Sequence, residues 1–522
     1  MAKFNAGATK TAVVSPITSE RTASARTHEG GAGFVRDARS ELFLLAVANM
    51  VGERTFYESG GARDERYADL VHEVTTTDPE WVVRFLRWLR TEANMRSASL
   101  VGAAEFTWAR LVTGESGLSR QVVDSVLQRA DEPGELLAYW TSVHGRAIPK
   151  PVKRGVADAV RRLYTERALA KWDSAARGFR FGDVLDLTHP SATDTRQGDL
   201  YRHALNVRHR RDEPVPSSLG LLTARAELLA LPVAERRALF SRPTAAAELR
   251  RAGLTWESVA GWLHGPLTAA VWEALIPSMG YMALLRNVRN FDEAGVSDEV
   301  AAGVAATLAD PEEVARSRQF PFRFLAAYRA APSLRWGQAL ERALAASLAT
   351  VPALGGRTLI CVDRSPSMFP GYHFSTKVTS DISCADQAAV FGLALALRAE
   401  QATTVVYGGT SRVVKVAKGG SLLKAVNGLG PAIDYTDTAG AVRAHFAGHD
   451  RVVVITDEQS ATADAAAGVP ADVPVYVWNL AGYRHGNTPA GGANRHTFGG
   501  LSDAAFRMVP LLEAGRSADW PF

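Results

Sequence analysis

Residues 360–368, ICVDRSPSM, form an apolar run that ends on Asp363 and then presents Ser365 and Ser367 at alternate positions. The run predicts a buried strand whose carboxyl end delivers one carboxylate and two hydroxyls into a loop. Mg²⁺ takes oxygen ligands in near-octahedral geometry and usually keeps several waters. The segment therefore predicts half of a site for a divalent cation, most simply Mg²⁺.

Two later segments supply the other half. Thr436 lies in the loop IDYTDTAG, and Asp457 ends the β-branched run RVVVITDE. The ordered set resembles the metal-ion-dependent adhesion site of the von Willebrand factor A family, which leaves one coordination position open for a partner's carboxylate or phosphate. The resemblance implies five metal ligands: Asp363, Ser365, Ser367, Thr436 and Asp457. The family usually has two glycines before the Thr, and this chain has none there. The alternative is that the serines close a turn and Asp457 caps a helix.

The chain after residue 355 alternates strand-like and helical segments. RTLICVD, ATTVVYGG, RVVVITDE and VPVYVWNL are separated by helical stretches such as CADQAAVFGLALALRAEQ. Continuously apolar strands between helices predict a parallel sheet covered on both faces. We expect a doubly wound α/β domain over residues 355–522, beginning near Gly355 and Gly356, with ligands at the carboxyl ends of its strands.

Residues 31–354 have helical periodicity almost throughout. DPEWVVRFLRWLR places Asp78 at a helix N-cap and Pro79 at the first helical position, with apolar residues on one face. DPEEVARSR repeats this opening at Asp310. So many successive helices predict a bundle or a solenoid, and no sequence repeat chooses between the two.

Composition is that of a folded cytoplasmic protein. The 522 residues are 47% hydrophobic and 22% charged. Two cysteines, Cys361 and Cys384, cannot form a disulfide framework, which fits a reducing compartment. Residues 1–30 are small and polar and predict a loose tail. No stretch approaches the roughly 18 consecutive apolar residues of a membrane helix, so we expect no membrane association.

Positive charge is concentrated in residues 146–211. This block contains 15 basic and 7 acidic residues, whereas residues 357–522 contain 14 of each. Basic residues interleaved with aromatic ones are typical of a surface that binds phosphates and stacks bases. The alternative is a well-solvated helical face. The aromatic residues in question are Tyr164, Trp172, Phe179, Phe181 and Tyr201.

Three helical segments resemble the Ro autoantigen family. HGRAIPKPVKRGVADAVRRLYTERALAKW followed by FRFGDVLDLTHP, PSMGYMALLRNVRNF, and SRQFPFRFLAAYR are similar to parts of its TROVE module. In that family a von Willebrand A domain follows the module, as it would here. The resemblance covers roughly residues 30–520 and implies a ring of α-helical HEAT-like repeats, residues 31–354, that is closed by the A domain.

The resemblance also implies a function in RNA metabolism. Ro proteins bind structured Y-like RNA on a basic outer surface and the single-stranded ends of misfolded or decaying RNA in a central hole. Bacterial members resemble adaptors for an exoribonuclease such as polynucleotide phosphorylase. We expect a cytoplasmic monomer. The residues expected to face RNA are Lys150, Lys153, Arg154, Arg161, Arg162, Lys171, Arg177, Arg180, His189 and Arg196.

Two other function classes compete with RNA binding. One is a protein-interaction scaffold in which the cation of the A domain recruits a partner carboxylate. The other is a metal-dependent nuclease, which two aspartates near one cation support poorly, because two-metal phosphodiester cleavage uses more carboxylates. No nucleophilic triad or phosphate-binding GxxxxGK[ST] motif is apparent in the sequence. The expected protein is therefore not an enzyme.

Overall fold

The computed structural model describes residues 13–48, 52–174, 178–349, 351–369, 382–462, 464–501 and 506–522. The chain forms two compact units. The sheet unit comprises Met1–Leu70, Phe320–Ala326 and Leu344–Phe522, and the helical unit comprises Val71–Gln319 and Ala327–Ala343. This division differs from the expected boundary near residue 355, because the described part of the first 70 residues packs with the carboxyl-terminal sheet.

Helices dominate the chain up to residue 347. Within the described residues they are α1 (Ala38–Ala48), α2 (Gly60–Thr77), α3 (Pro79–Thr91), α4 (Arg96–Val112), α5 (Ser119–Val126), α6 (Glu132–Val143), α7 (Lys150–Leu163), α8 (Glu166–Trp172), α9 (Phe181–Thr188), α10 (Thr195–Arg208), α11 (Gly220–Leu229), α12 (Val233–Arg236), α13 (Ala245–Arg251), α14 (Trp256–Leu263), α15 (Ala269–Leu275), α16 (Tyr281–Ala294), α17 (Asp298–Ala309), α18 (Pro311–Ser317), α19 (Pro321–Ala330) and α20 (Leu334–Ser347). Four more helices lie further along, α21 (Cys384–Arg398), α22 (Leu422–Asn427), α23 (Thr438–His445) and α24 (Met508–Glu513).

The helix starts follow the capping signals in the sequence. Asp78 accepts a hydrogen bond from the Trp81 N–H at 3.1 Å and begins α3. Asp310 accepts from the N–H groups of Glu312 and Glu313 and begins α18. Both bonds satisfy backbone donors that a helix leaves unpaired at its start. The two predicted helix openings are confirmed.

Nine strands form two sheets within the described residues. They are β1 (Ala25–Arg26), β2 (Ala32–Val35), β3 (Leu354–Asp363), β4 (Ala399–Tyr407), β5 (Ser411–Val414), β6 (Arg451–Thr456), β7 (Val475–Asn479), β8 (His485–Gly486) and β9 (Arg495–Gly499). The larger sheet has the order β5-β4-β3-β6-β7-β9. Its strands are parallel except β5, which pairs antiparallel with β4.

Both faces of the larger sheet are buried. All six residues of β6 are buried, as are the last six of β3. On one face Leu359, Cys361 and Val454 share a core with Val442 of α23. On the other face Gly392 of α21 lies so close to the sheet that a Cβ there would be 2.5 Å from Val362. The expected fold class, a helical region followed by a doubly wound α/β domain, is confirmed.

The amino-terminal segment is part of the sheet unit. Strands β1, β2 and β8 form a small antiparallel sheet, in which Phe34 pairs with Gly486. The Ser19 N–H donates to the Ala490 carbonyl at 3.2 Å. The predicted loose tail is therefore wrong for residues 13–30, which are held by hydrogen bonds to residues more than 400 positions away. Residues 1–12 lie outside the described residues.

Candidate functional site

Asp363 and Asp457 come together because their strands are neighbours. Asp363 ends β3, and Asp457 directly follows β6, which pairs parallel with β3. The direction in which the chain adds strands reverses between β3 and β6. After β3 the chain adds β4 on one side, and it later returns to add β6 and β7 on the other side. Such a switch point opens a crevice at the carboxyl ends of the strands, where ligands of this fold class bind. The predicted proximity of the two aspartates is a consequence of this topology.

Asp363 is fully buried and held by several hydrogen bonds. Its Oδ1 accepts from the Ser365 N–H at 2.8 Å, and its Oδ2 accepts from the Thr456 hydroxyl at 2.5 Å. The Tyr407 hydroxyl donates to Oδ2 at 3.4 Å. Burial raises the pKa of Asp363, and these donors act in the opposite direction. The carboxylate is thus held by hydroxyl groups at the ends of β4 and β6 and by the backbone of the loop that follows β3.

Ser365, Ser367 and Asp457 lie at the same end of the sheet as Asp363. The hydroxyls of Ser365 and Ser367 are 3.2 Å apart. Asp457 is 1% exposed, and its Oδ1 accepts from the Gln459 N–H at 3.0 Å. Its Oδ2 is buried and has no hydrogen-bond partner among the residues that the structure describes. Burial and the neighbouring charge of Asp363 raise the pKa of Asp457, whereas the Ser367 hydroxyl lowers it.

Thr436 reaches the same end of the sheet from the loop before α23. It is 1% exposed, and its carbonyl accepts from the Ala461 N–H and the Ser460 hydroxyl, both at 3.1 Å. The loop is fixed on its other side by a 2.8 Å bond from the Ile433 N–H to the Arg364 carbonyl. Without the two glycines of the family pattern, the loop still brings Thr436 next to the segment that follows Asp457.

The donor set fits a hard divalent cation. Two buried carboxylates lie at the ends of neighbouring strands, and among the described residues Asp457 Oδ2 has no hydrogen-bond partner and neither carboxylate makes an ion pair. Burying two like charges without a counter-charge is costly, and a cation would remove that cost. The part of the chain that the structure describes has no group of three or more His, Cys, Asp and Glu suited to a metal. The serine hydroxyls would therefore have to complete the coordination.

Sequence reasoning missed a second layer of residues from the amino-terminal segment. The Tyr57 hydroxyl donates to Glu29 and interacts with Ser367, one of the predicted ligands. The guanidinium of Arg36 forms a buried ion pair with Glu458, the residue after Asp457. No local signal in the sequence links these positions, which are separated by several hundred residues.

Helix α7 carries most of the predicted RNA-facing cations. Lys150, Arg154 and Arg161 are exposed and Lys153 is half-buried, and none of the four makes an ion pair among the described residues. At 100° per residue, the four positions lie within about 100° of the helix circumference and span about 16 Å. The opposite side buries Val152, Val156 and Val160 in the helical unit.

Three other predicted RNA contacts are engaged in ion pairs. Arg162 pairs with Asp124 at 2.8 Å, Arg180 pairs with Asp173 at 2.6 Å, and Arg196 pairs with Glu166. Each pair cancels the charge that a phosphate would use. Lys171 is exposed and lies over the Trp172 ring, and His189 ends α9 at the surface. Arg177 lies outside the described residues.

Three of the aromatic residues in the basic block are core residues. Tyr164, Phe181 and Tyr201 are 3%, 3% and 8% exposed, and the rings of Tyr164 and Phe181 stack with centroids 3.9 Å apart. The prediction that they would stack on bases is wrong, because they pack α7, α9 and α10 together. Trp172 is half-buried beneath Lys171 and Arg129, and Phe179 is also half-buried.

No helix within the described ranges has the length and hydropathy of a membrane span.

Comparison with known proteins agrees with the resemblance drawn from the motifs. Residues 241–338 match the TROVE domain. This range contains two of the three segments that carried the resemblance, PSMGYMALLRNVRNF and SRQFPFRFLAAYR. No curated protein matches the chain in sequence. The crystal structure of the Ro protein of Deinococcus radiodurans has a similar fold, with a TM-score of 0.61, 18% identity and coverage of 91% of this chain and 100% of the other. The chain thus has the fold of a bacterial Ro protein and contains a TROVE match, which confirms its resemblance to the Ro family.

Proposed function

We propose that this chain is a non-catalytic, RNA-binding protein of the Ro type and that the exposed face of α7 is part of its RNA surface. The observation that carries the proposal is the cation stripe of Lys150, Lys153, Arg154 and Arg161. These four charges are not compensated by ion pairs among the described residues, whereas neighbouring arginines are. An uncompensated stripe attracts a polyanion more strongly than a solvated face with mixed charge.

A stripe about 16 Å long can follow several consecutive phosphates. Each phosphate that a cation neutralises releases counterions, so binding must weaken steeply as salt rises. Base recognition cannot come from Tyr164, Phe181 or Tyr201, because their rings are buried. The α7 face is thus suited to recognise a phosphate backbone, as in a folded RNA, more than to read a base sequence.

The finer assignment follows the Ro resemblance. We propose structured, Y-like non-coding RNA as the ligand of the basic face, and single-stranded ends of misfolded or decaying RNA as the ligand of a second site. The process served would be RNA quality control or decay in the cytoplasm, with an exoribonuclease such as polynucleotide phosphorylase as the partner. These expectations rest on the family and on the match over residues 241–338.

We also propose that the crevice of the sheet binds one divalent cation, most simply Mg²⁺. Asp363, Ser365, Ser367, Thr436 and Asp457 would hold it. The unpartnered Oδ2 of Asp457 supports this assignment, because a buried carboxylate oxygen without a donor is costly. The cation would supply a concentrated positive charge to an oxygen ligand. Two carboxylates are too few for two-metal phosphodiester cleavage, so no nuclease activity is proposed.

Charge reversal on α7 tests the RNA assignment. We expect Lys153→Glu combined with Arg154→Glu and Arg161→Glu to weaken binding of a structured RNA at least tenfold in filter binding, since about three phosphate contacts are lost. The slope of log affinity against log salt should fall by about 2 to 3. Unchanged affinity and slope would remove RNA binding from this face.

The matched control reverses three exposed charges in the sheet unit, whose carboxyl-terminal part is electrically neutral. Arg398, Lys415 and Lys424 are changed to Glu, which alters the net charge by the same amount. RNA affinity should change by less than about twofold. An equal loss in both variants would mean that net charge and not the α7 face governs binding.

The scaffold function is the alternative. It is favoured by one observation, the cation crevice, which lies in a unit whose carboxyl-terminal part has no excess positive charge. A protein partner held through the cation should dissociate on addition of EDTA, whereas RNA held by α7 should dissociate with salt. Chelator-sensitive and salt-insensitive complexes in a pull-down would favour the scaffold.

A further inference from the structure

A cavity opens in the helical unit where α7 ends and where α8, α10 and α11 begin. Its volume is about 400 Å³, which is within the roughly 300–1,000 Å³ of pockets that bind small ligands. The residues that line it come from three segments, around Tyr164, Arg196 and Leu221. All three segments belong to one compact unit. The cavity is therefore a feature of the helical unit alone and is separate from the cation crevice.

Three leucines, here called the leucine wall, give the cavity an apolar side. Leu200 and Leu219 are 4% and 0% exposed, and Leu221 is half-buried. Apolar side chains bind the face of an aromatic ring, whereas they cannot replace the water around the phosphates of a nucleic-acid backbone. The leucine wall therefore fits a flat group such as a nucleobase, while the cation stripe of α7 fits phosphates.

The helices around the cavity are joined by the carboxylate of Glu166. One of its oxygens accepts from the N–H groups of Leu221 and Leu222 at 2.9 and 3.2 Å, at the start of α11. The other oxygen pairs with the guanidinium of Arg196 on α10. Glu166 is 8% exposed, and its charge is compensated by Arg196 and by the positive end of α11. The cavity is therefore preformed, and this carboxylate does not strongly repel an anionic ligand.

The rim of the cavity carries charges of both signs. Arg167 is exposed and makes no ion pair among the described residues. Asp194 is also exposed, but its carboxylate is engaged at the N-cap of α10, where it accepts from the Gln197 N–H at 2.8 Å. An uncompensated cation beside an apolar wall favours a ligand that has both an aromatic part and an anionic part. A nucleotide has both parts.

The cavity directly continues the cation stripe of α7. Arg161, the last cation of the stripe, and Tyr164, which lines the cavity, are three positions apart and are thus neighbours on one side of the helix end. The Gln197 side chain also lines the cavity and donates to the Arg161 carbonyl at 2.9 Å. A strand whose phosphates follow the stripe would therefore pass beside the cavity. This continuity favours a nucleotide of the RNA over other ligands with an aromatic and an anionic part.

We propose that the cavity is a subsite for one unpaired nucleotide of the RNA: its base lies against the leucine wall, and its phosphate is bound by Arg167. The inference rests on the proposed RNA binding by α7 and deepens it. A base that is paired in a duplex cannot enter the cavity. The subsite therefore makes the protein prefer folded RNA that has a bulged or looped nucleotide over a fully paired duplex.

Filter binding of blunt RNA duplexes to the full chain tests the proposal. One duplex is fully paired, four contain a single unpaired A, G, C or U at the same place, and one contains an abasic nucleotide there. We expect at least one of the four base-containing duplexes to bind about tenfold tighter than the abasic duplex, because the base is transferred into the cavity. The abasic duplex separates this gain from effects of the bulge on the shape of the backbone.

Two variants test whether the gain arises in the cavity. Leu221→Trp fills the cavity and should reduce the affinity ratio between base-containing and abasic duplexes to below about twofold. Arg167→Glu changes only an exposed side chain, so it tests the subsite even if the tryptophan disturbs packing. It should weaken the base-containing duplex about fivefold more than the fully paired one. The matched control is Arg84→Glu on α3, an exposed arginine without an ion pair among the described residues, which should change both duplexes by the same factor.

The contrary outcomes are distinct. If base-containing and abasic duplexes bind alike and their binding weakens with salt, the subsite is wrong and RNA binding by α7 stands. If no duplex binds, the proposed function is wrong and the subsite is wrong with it. If the gain from the base survives in Leu221→Trp and in Arg167→Glu, the base is recognised elsewhere and the cavity is not the subsite. If AMP, GMP, CMP or UMP alone binds in calorimetry and no duplex shows the gain, the cavity serves a free nucleotide and the RNA subsite is wrong.

Discussion

Replacing Arg36 with Ala should loosen the amino-terminal segment from the sheet unit. The Arg36 guanidinium pairs with the Glu458 carboxylate, and the two side chains are 1% and 0% exposed. Arg36 also donates to the Tyr483 carbonyl at 3.0 Å. The substitution leaves a buried carboxylate whose Oε1 already has no partner among the described residues and whose Oε2 accepts from Asn479. The buried charge would then be left largely uncompensated.

The magnitude follows from these contacts. Breaking a buried ion pair by removal of one partner costs about 3–5 kcal/mol. The lost bond to the Tyr483 carbonyl is part of the same network and adds at most about 1 kcal/mol. We therefore expect a loss of about 4 kcal/mol, a large share of the roughly 5–15 kcal/mol by which domains are typically stable. Arg36→Met combined with Glu458→Gln should recover much of this loss, because no unpaired charge remains.

Native-state hydrogen exchange of the β3 and β6 amides measures the effect in the sheet unit alone. The free energy of opening should fall by about 4 kcal/mol in Arg36→Ala. Arg21→Ala, an exposed arginine of the same segment, is the control and should change it by less than about 0.5 kcal/mol. A loss below about 1 kcal/mol in Arg36→Ala would refute the docking of this segment on the sheet.

Three further predictions concern the crevice and the sheet. Asp363→Ala should abolish the rise in Tm that Mg²⁺ causes and leave RNA affinity nearly unchanged, because α7 belongs to another unit. Gly31→Ala should cost about 1–3 kcal/mol in urea unfolding, since its Cβ would meet the Ser460 carbonyl, whereas Gly61→Ala meets nothing. Burial lowers the pKa of His496 from 6.5 to about 4. The unfolded chain therefore binds the extra proton first as pH falls, and about 3 kcal/mol of stability, complete above about pH 6.5, is lost between about pH 6.5 and 4.

Each of these predictions has a contrary result. A fall in RNA affinity in Asp363→Ala would make the cation part of the RNA site. Equal stabilities of Gly31→Ala and Gly61→Ala would mean that the turn is not pressed against the loop after Asp457. His496→Gln should flatten the dependence of the urea midpoint on pH between about pH 7 and 5, and an unchanged slope would assign the acid sensitivity to other groups.

The sequence correctly predicted those structural features whose physical cause is local. Asp78 and Asp310 predicted helix starts because an N-cap is satisfied by N–H groups two or three residues away. The apolar runs that became β3 and β6 predicted a covered parallel sheet, because strands buried on both faces cannot alternate in polarity. The order of motifs that ends on Asp363 and Asp457 then indicated the crevice, since parallel strands present their carboxyl ends on one edge.

Predictions from charge and aromatic composition were wrong where the partner of a side chain lies on a distant helix. Residues 146–211 include the α7 cations that make no ion pair among the described residues. They also include Arg162 and Arg196, whose partners Asp124 and Glu166 lie 38 and 30 residues away. Composition cannot separate a free cation from a paired one. Tyr164 was predicted to be a stacking platform for the same reason, because only packing shows that its ring is buried.

The sequence alone was enough to predict the two-part fold, the helix starts at Asp78 and Asp310, and the proximity of Asp363 and Asp457 at the carboxyl ends of neighbouring strands, because each depends on a short pattern. The folded structure was needed to show that residues 13–36 belong to the sheet unit, that Arg36 pairs with Glu458, and that Tyr57 bonds to Glu29. Contacts such as those of Arg36 with Glu458 and with Tyr483 join positions 422 and 447 residues apart. Such contacts leave no periodicity in the sequence, since their energy comes from burial and charge pairing that exist only after the chain has folded.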